Sequence, residues 1–179
     1  RLLELEVLRA SYQSGQQTLD VHQLISLDVD QFFGIEIEEF PAQIAQVALW
    51  LVDHQMNLRV SEEFGLYFAR IPLRSSARVV HGNALTLDWN EVLPMEQCSY
   101  VLGNPPFVGA KFMDDAQRED TRVVFEDIPN AGLLDFVAAW YVKAARYLPP
   151  SPSGGGRGWG PAAHAMRAAF VSTNSITQG

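Results

Sequence analysis

Near the middle of the chain lies the sequence Ser99-Tyr100-Val101-Leu102-Gly103-Asn104-Pro105-Pro106-Phe107, an apolar run that stops at an amide, two prolines and an aromatic ring. Tyr100, Val101 and Leu102 favour a β-strand, whereas glycine is unfavourable inside one. The sequence therefore predicts a strand that ends at about Asn104, followed by a rigid segment.

The rigid segment has the donors and acceptors of a binding site. Pro105 and Pro106 fix two φ angles and lack backbone N–H groups, so Asn104 and Phe107 are held in a defined relation. The Asn104 side-chain oxygen and the Pro105 carbonyl can each accept a proton from one exocyclic amine. The ring of Phe107 can stack on the flat ring that carries this amine. We predict a site for a planar NH2 group.

At these residues the chain resembles a known family, the S-adenosylmethionine-dependent N-methyltransferases, whose catalytic motif is Asn/Asp-Pro-Pro-Tyr/Phe. A second stretch, residues 34–57, is similar to the segment after the second strand of large adenine-specific DNA methyltransferases of bacterial restriction-modification systems. Asn83-Ala84-Leu85 and residues 170–179 resemble later parts of the same domain. The resemblance covers most of the chain in the family's order.

The resemblance implies an α/β fold with a Rossmann-like, doubly wound and mainly parallel sheet, the class I methyltransferase fold in incomplete form. It implies methyl transfer from S-adenosyl-L-methionine to the N6 amine of an adenine flipped out of double-stranded DNA. The catalytic residues would be Asn104, Pro105, Pro106 and Phe107. Double-stranded DNA is the implied partner, and nuclease or specificity modules are expected elsewhere in the parent chain.

The resemblance also implies cofactor contacts at two other strand ends. Glu36 would accept hydrogen bonds from the two ribose hydroxyls, and Ile37 would pack on the adenine face. Asn83 occupies the position where the family usually carries an acid that accepts a proton of the adenine amine, and an amide oxygen accepts more weakly. Ala84 replaces a bulkier neighbour.

Glu36, Asn83 and Asn104 each follow a predicted strand. Because ligands of doubly wound sheets bind beyond the carboxyl ends of parallel strands, we expect these three residues to line the same edge of one sheet.

Composition indicates one globular α/β domain, with 179 residues of which 47% are hydrophobic and 19% charged. The formal net charge is −8, from 21 acidic and 13 basic residues. DNA affinity rests largely on Lys and Arg, so this piece alone should bind DNA poorly. There is no initial Met, and the family's Gly-rich cofactor turn and target-recognition domain are absent. Residues 1–179 are therefore interpreted as a partial catalytic domain.

Other functional classes have little support in the sequence. No apolar run approaches the roughly 18 residues of a membrane span, and no signal peptide is evident. The single Cys98 fits a cytoplasmic location. The four histidines lack metal-ligand spacing, so we expect no metal.

Two long helices and a loop complete the expected secondary structure. One helix, over residues 42–57, should bury a stripe formed by Ile44, Val47, Ala48, Leu51 and Gln55. A second is predicted from Leu133 to Leu148. Residues 149–162 are rich in Pro and Gly and should form a flexible loop. Strands are predicted over 31–37, 78–81 and 168–171.

Alternative functions stay open. The Asn-Pro-Pro-Phe stretch occurs also as an ordinary strand-to-loop turn, since Asn-Pro and Pro-Pro are common turn dipeptides. The domain would then be a non-catalytic, methyltransferase-like binding module. An N-methyltransferase that acts on RNA guanine or protein glutamine shares the motif, although the resemblance over residues 34–57 favours DNA.

Overall fold

The computed structural model describes residues 9, 27–64, 77–148 and 167–172. They belong to two compact units, Arg1–Gly82 and Asn83–Gly179. The predicted flexible loop over residues 149–162 lies outside the described residues.

The first unit contains a parallel strand pair joined by a helix. Strand β1 spans Phe33–Glu36, helix α1 spans Glu39–Phe64 and strand β2 spans Arg78–His81. The register pairs Phe33 with Arg78 and Glu36 with His81. Both ends of the ladder are extended, because Arg78 N donates to Phe32 O at 3.0 Å and Gly82 N to Glu36 O at 2.8 Å. Both strand predictions are confirmed, although β1 is shorter because Val29–Gln31 form a 3-10 turn.

Helix α1 packs on both strands of this pair, but on a different face from the one predicted. Its buried residues are Ala42, Asp53, Asn57 and Val60. Residues of the predicted stripe are exposed, Val47 by 57%. That prediction was wrong because apolar residues occur all round this helix, so periodicity alone does not select a face.

The buried face of α1 contains two polar side chains. Asn57 Nδ2 donates to Asp53 Oδ2 at 3.0 Å, and Ser61 Oγ donates to the Asn57 carbonyl at 2.9 Å. Buried polar groups are tolerated when they are hydrogen-bonded in this way. Gln46 Nε2 also donates to the Val79 carbonyl at 3.1 Å and ties α1 to β2.

The second unit also has a parallel pair. Strand β3 spans Tyr100–Gly103 and strand β4 spans Arg167–Phe170, with Tyr100 opposite Arg167 and Gly103 opposite Phe170. The strand predicted to end at about Asn104 is confirmed, and the predicted strand over 168–171 is displaced by one residue. The helices are α2 at Trp89–Val92, α3 at Asp115–Val124 and α4 at Ala138–Tyr147, with 3-10 turns at Met95–Gln97, Ala110–Phe112 and Ala131–Leu133.

Helix α4 is shorter than predicted. Ala131–Leu133 form a separate 3-10 turn after Asn130, which has a left-handed φ of 60°. Leu133 matches the helical spacing, yet its side chain is 87% exposed. The predicted start was therefore wrong, because the residues before Ala138 follow a loop path that periodicity does not detect.

The core of the second unit brings its loops and helices together. Leu85, beside the Asn83 turn, is 1% exposed and packs in the same cluster as Phe136 and Ala139. The Phe136 ring meets Trp140 edge to face, with centroids 4.9 Å apart. The other buried members are Met113, Val124, Phe125 and Ala131. Two parallel strand pairs with packed helices constitute an α/β architecture.

Candidate functional site

The Asn104-Pro105-Pro106-Phe107 segment lies directly beyond the carboxyl end of β3. Its peptide bonds are trans. Pro105 is buried, whereas Asn104, Pro106 and Phe107 are exposed, Phe107 by 51%. The segment is therefore anchored by one proline and presents both the amide and the aromatic ring.

The start of this segment is packed against β4. Val171 N donates to the Gly103 carbonyl at 3.0 Å. A Cβ at Gly103 would lie only 3.0 Å from Cδ1 and Cε1 of Phe170. The Phe170 ring is itself held by Tyr141, whose ring centroid is 5.1 Å away in an edge-on contact. Tyr141 Oη is within hydrogen-bond distance of the Phe170 carbonyl, at 3.3 Å, and of Ser172 Oγ, at 3.2 Å. The neighbouring ring leaves little space for a side chain here, so an alanine at position 103 would crowd Phe170.

The end of the segment is held by a second loop. Phe136 N donates to the Val108 carbonyl at 2.9 Å, and Ala110 N donates to Asp135 Oδ1 at 3.1 Å. Since both bonds connect residues more than twenty positions apart, the loop after Phe107 is fixed by tertiary contacts.

Asn83 forms a tight turn at the beginning of the second unit. Its Oδ1 accepts from Leu85 N at 2.9 Å, and its Nδ2 donates to Asp120 Oδ2 on α3 at 2.7 Å. The carbonyl of Ala84 accepts from Trp89 Nε1 at 2.8 Å. The Asn83 amide is thus held in one orientation, and within the described part of the chain its oxygen has one donor and keeps a second lone pair.

Glu36 is a half-buried carboxylate at the end of β1. Its Oε1 accepts from Glu38 N at 3.2 Å. Among the residues that the structure describes, the Glu36 Oε2 atom has no hydrogen-bond partner. Ile37, the next residue, is 59% exposed. An available carboxylate oxygen beside an exposed apolar side chain fits a ligand that has vicinal hydroxyls and a flat ring.

The predicted residues divide between the two units. Glu36 and Ile37 lie in the first, whereas Asn83, Ala84 and Asn104–Phe107 lie in the second. The prediction that Glu36, Asn83 and Asn104 share one sheet edge therefore stays a prediction.

A cleft of about 270 Å³ lies beside the Asn83 turn and is lined by residues that include Leu85, Asp88, Lys143 and Tyr147. Lys143 Nζ donates to the Leu85 carbonyl at 2.8 Å, and Tyr147 Oη donates to the Leu93 carbonyl at 2.7 Å. Burial lowers the pKa of Lys143 and raises the pKa of Tyr147. Through these hydrogen bonds, both side chains hold α4 against the preceding loops.

Sequence reasoning missed Asp120, Asp135 and Tyr141. Asp120 lies within a run of mixed charge over residues 114–122 that resembles a solvated helix face. Asp135 precedes an apolar helix and has the signal of a helix start. Tyr141 has the spacing of an ordinary core residue. The local signals of all three residues therefore indicated roles other than the contacts that the structure shows.

Within ranges 27–64, 77–148 and 167–172, no three His, Cys, Asp or Glu side chains are grouped to hold a metal ion. Over the same part of the chain, no helix has the length and apolar character needed to cross a bilayer.

Parallel strands with an Asn-Pro-Pro-Phe segment at a strand end match the arrangement that the resemblance to methyltransferases predicts. Comparison with protein families identifies a DNA methyltransferase domain. The chain belongs to the family described as MmeI, DNA-methyltransferase domain, whose model matches residues 1–179. The predicted membership in the methyltransferases of restriction-modification systems is therefore confirmed.

Two individual proteins are similar to this chain in sequence or in structure. It is 33% identical over 157 residues to DNA methyltransferase A of Bacillus subtilis (strain 168), an alignment that covers 86% of this chain and 16% of that protein. It is also similar to the solved structure of the Type IIL restriction-modification enzyme MmeI in complex with DNA, with 52% identity, a TM-score of 0.81 and coverage of 99% of this chain and 23% of that one. The incomplete Rossmann-like α/β fold is therefore confirmed.

Proposed function

We propose that this domain transfers a methyl group from S-adenosyl-L-methionine to the N6 amine of an adenine flipped out of duplex DNA. The observation that carries the proposal is the Asn104–Phe107 segment, which lies at the carboxyl end of a parallel strand with its amide and its ring exposed. Ligands of such sheets bind at this edge. DNA is favoured over RNA or protein because both relatives are DNA enzymes by name or by complex.

The domain is proposed to act within a longer chain. It spans 16% of the curated relative and 23% of the solved enzyme. With a net charge of −8 it has few groups to neutralise phosphates, so most of the DNA affinity would come from other modules. The missing cofactor turn and target-recognition domain would also lie in those parts, together with any nuclease.

The residues present fit the cofactor in their chemistry. For ribose hydroxyls, Glu36 offers a carboxylate oxygen that has no partner within the described ranges, and Ile37 offers an exposed apolar surface for the adenine ring. Among the described residues the Asn83 side-chain oxygen has one donor and so offers a second lone pair, and the side chain of Ala84 is only a methyl group. When bound, the cofactor supplies a methyl group on a sulfonium, which is already activated for transfer.

The protein's own contribution to the reaction is chiefly positioning. The Asn104 side-chain oxygen and the Pro105 carbonyl would accept both amine protons of the target adenine, which favours a tetrahedral nitrogen with its lone pair directed at the methyl group. Acceptors that are already oriented need no reorganisation during reaction, and correct placement of the reacting atoms gives large rate factors. Phe107 would stack on the extruded base.

The decisive test uses the full-length protein that contains this domain, with single-turnover methyl transfer and equilibrium DNA binding measured side by side. Asn104→Ala removes an acceptor that matters most as the amine becomes tetrahedral, so the transfer rate should fall far more than DNA affinity. Asn104→Asp keeps the acceptor and should retain more activity than Asn104→Ala.

Phe107 should behave differently from Asn104. Phe107→Ala removes a stacking surface worth about 1–3 kcal/mol per base, so base capture should weaken together with the rate. Phe107→Trp preserves the ring face and should retain much of the activity. Phe112→Ala is the matched control, because Phe112 is an exposed aromatic residue of the same loop, with 84% of its side chain accessible.

The outcome that would contradict the proposal is simple. If Asn104→Ala methylates duplex DNA at the parent rate, the Asn-Pro-Pro-Phe segment is only a turn and does not carry the catalysis. Methylation of guanine-containing RNA or of a glutamine peptide, without methylation of DNA, would select the alternative substrates.

A further inference from the structure

Asp135 connects two loops that are far apart in sequence. Its Oδ1 accepts from Ala110 N at 3.1 Å across 25 positions. One residue along, Phe136 N donates to the Val108 carbonyl at 2.9 Å. The two bonds together join Val108–Ala110 to Asp135–Phe136, immediately after Phe107.

The residues on both sides of these two hydrogen bonds are packed against the core of the second unit. Phe136 is 4% exposed and belongs to the core of the second unit, so the position of Asp135 is set by packing. Val108 and Ala110 are half-buried and pack against the same core. The motif loop is consequently held between Gly103, bonded to β4, and Ala110, bonded to Asp135.

Gly109 lies in ordinary van der Waals range of Asp135. A Cβ at Gly109 would lie 3.6 Å from Asp135 Oδ1 and 3.5 Å from Phe112 Cδ2. The contact of the carboxylate with the loop backbone is the hydrogen bond from Ala110 N. Hydrogen bonds to an ionised acceptor are stronger than those between neutral groups.

From this geometry we infer that Asp135 is a positioning residue for methyl transfer. It holds the loop that carries Phe107 in the conformation that receives the extruded base, and it acts through the Ala110 amide without touching the substrate. This inference rests on the proposed function and extends it to a residue outside the Asn-Pro-Pro-Phe segment.

A purely structural role for Asp135 would be the start of α4. The Asp135 carbonyl accepts from Ala138 N at 2.9 Å, but this is a backbone bond that any residue can form. The first residues of α4 have no side-chain cap. Loss of the carboxylate should therefore loosen the motif loop more than it loosens α4. Hydrogen exchange can distinguish an effect on the loop from an effect on the helix.

The experiment compares Asp135→Ala and Asp135→Asn in the full-length protein. The parent enzyme is first used to methylate a plasmid, which identifies its target sequence. A duplex of that sequence is the substrate for methyl transfer. The same duplex with 2-aminopurine in place of the target adenine is the probe for base flipping. Asp135→Ala should reduce the flipped-base fluorescence and the single-turnover rate by roughly ten- to a hundredfold, the range for losing a hydrogen bond to a charged group. Asp135→Asn keeps a neutral oxygen acceptor and should recover part of both signals.

Hydrogen exchange with mass spectrometry supplies a readout independent of activity. Peptides that cover residues 108–112 should exchange faster in Asp135→Ala than in the parent, whereas peptides from α4 should not. Faster exchange in both regions would show that Asp135 supports the helix start and would overturn the inference.

The remaining outcomes are distinguishable. If the parent flips and methylates adenine and Asp135→Ala does the same at an equal rate, this inference is wrong and the proposed function stands. If the parent neither flips nor methylates adenine in any duplex, the proposed function fails, and the assignment of Asp135 fails with it.

Discussion

Replacing Gly103 by Ala tests whether the packing behind Asn104 is as tight as the structure indicates. The new Cβ would lie 3.0 Å from two ring carbons of Phe170, whereas ordinary contacts begin at 3.4 Å. The ring has little freedom to move away, because it packs edge-on against Tyr141 and lies on the strand paired with β3. Either Phe170 or the backbone before Asn104 must therefore shift.

The size of the effect follows from packing energies and a matched control. Overpacking costs about 1–3 kcal/mol. Replacement of a strand glycine by alanine without a clash gains about 0.5–1 kcal/mol. Gly34 on β1 provides that comparison, because its Cβ would lie 3.5 Å from Val79, an ordinary contact. Gly103→Ala should therefore be less stable locally than Gly34→Ala by about 1–3 kcal/mol.

The assay is hydrogen exchange with mass spectrometry in the full-length protein. Relative to the parent, the acceleration of exchange at peptides 100–103 and 167–171 in Gly103→Ala should be about 5- to 150-fold greater than the change at peptides 33–36 and 78–81 in Gly34→Ala, since each 1.4 kcal/mol is a factor of ten. The double variant Gly103→Ala with Phe170→Leu should recover part of the protection, because it removes the ring that clashes. Methyl transfer should fall in the single variant. Equal exchange for Gly103→Ala and Gly34→Ala would refute the reasoning.

Two further predictions concern the cofactor and alkaline pH. The isolated 179-residue chain should bind S-adenosylmethionine weakly or not at all by calorimetry. The full-length protein should bind the cofactor and should lose affinity on Glu36→Ala. Tight binding by the isolated chain would mean that the cofactor contacts are assigned to the wrong residues. Burial raises the pKa of Tyr147, so its neutral phenol stabilises the fold fully below about pH 10 and this contribution is lost as the pH rises further. Tyr147→Phe should cost about 0.5–1.5 kcal/mol near neutral pH, through loss of the bond to Leu93, and should reduce the alkaline loss of stability. Urea unfolding of the parent and of the variant at pH 8 and pH 10.5 would test this, and an equal alkaline loss in both would contradict it.

Local patterns in the sequence were sufficient for the strands and for the candidate motif. Strand propensity and the glycine before Asn104 located the end of β3, because both act through neighbouring residues. The Asn-Pro-Pro-Phe segment was identified for the same reason, since two prolines fix its backbone wherever it occurs. The family membership followed from the same stretches and from residues 34–57.

The buried face of α1 and the start of α4 were decided by the tertiary structure. Helix α1 has apolar residues on every side, and the face that it buries includes Asp53 and Asn57, which tolerate burial because they bond to each other. Periodicity places Leu133 in a helix, but the chain before Ala138 follows a loop instead. Such choices depend on the free energy of packing against distant segments, which no local window contains.

The sequence by itself determined the α/β class, the parallel strands and the motif that presents an amide and a ring. Only the tertiary structure showed that Asp120 holds the Asn83 amide, that the Phe170 ring crowds position 103, and that Asp135 holds the loop after Phe107. Each of these contacts joins residues more than twenty positions apart. Strand propensity and proline act through neighbouring residues, whereas the start of α4 and the partner of a polar side chain are set by which segments the core brings together.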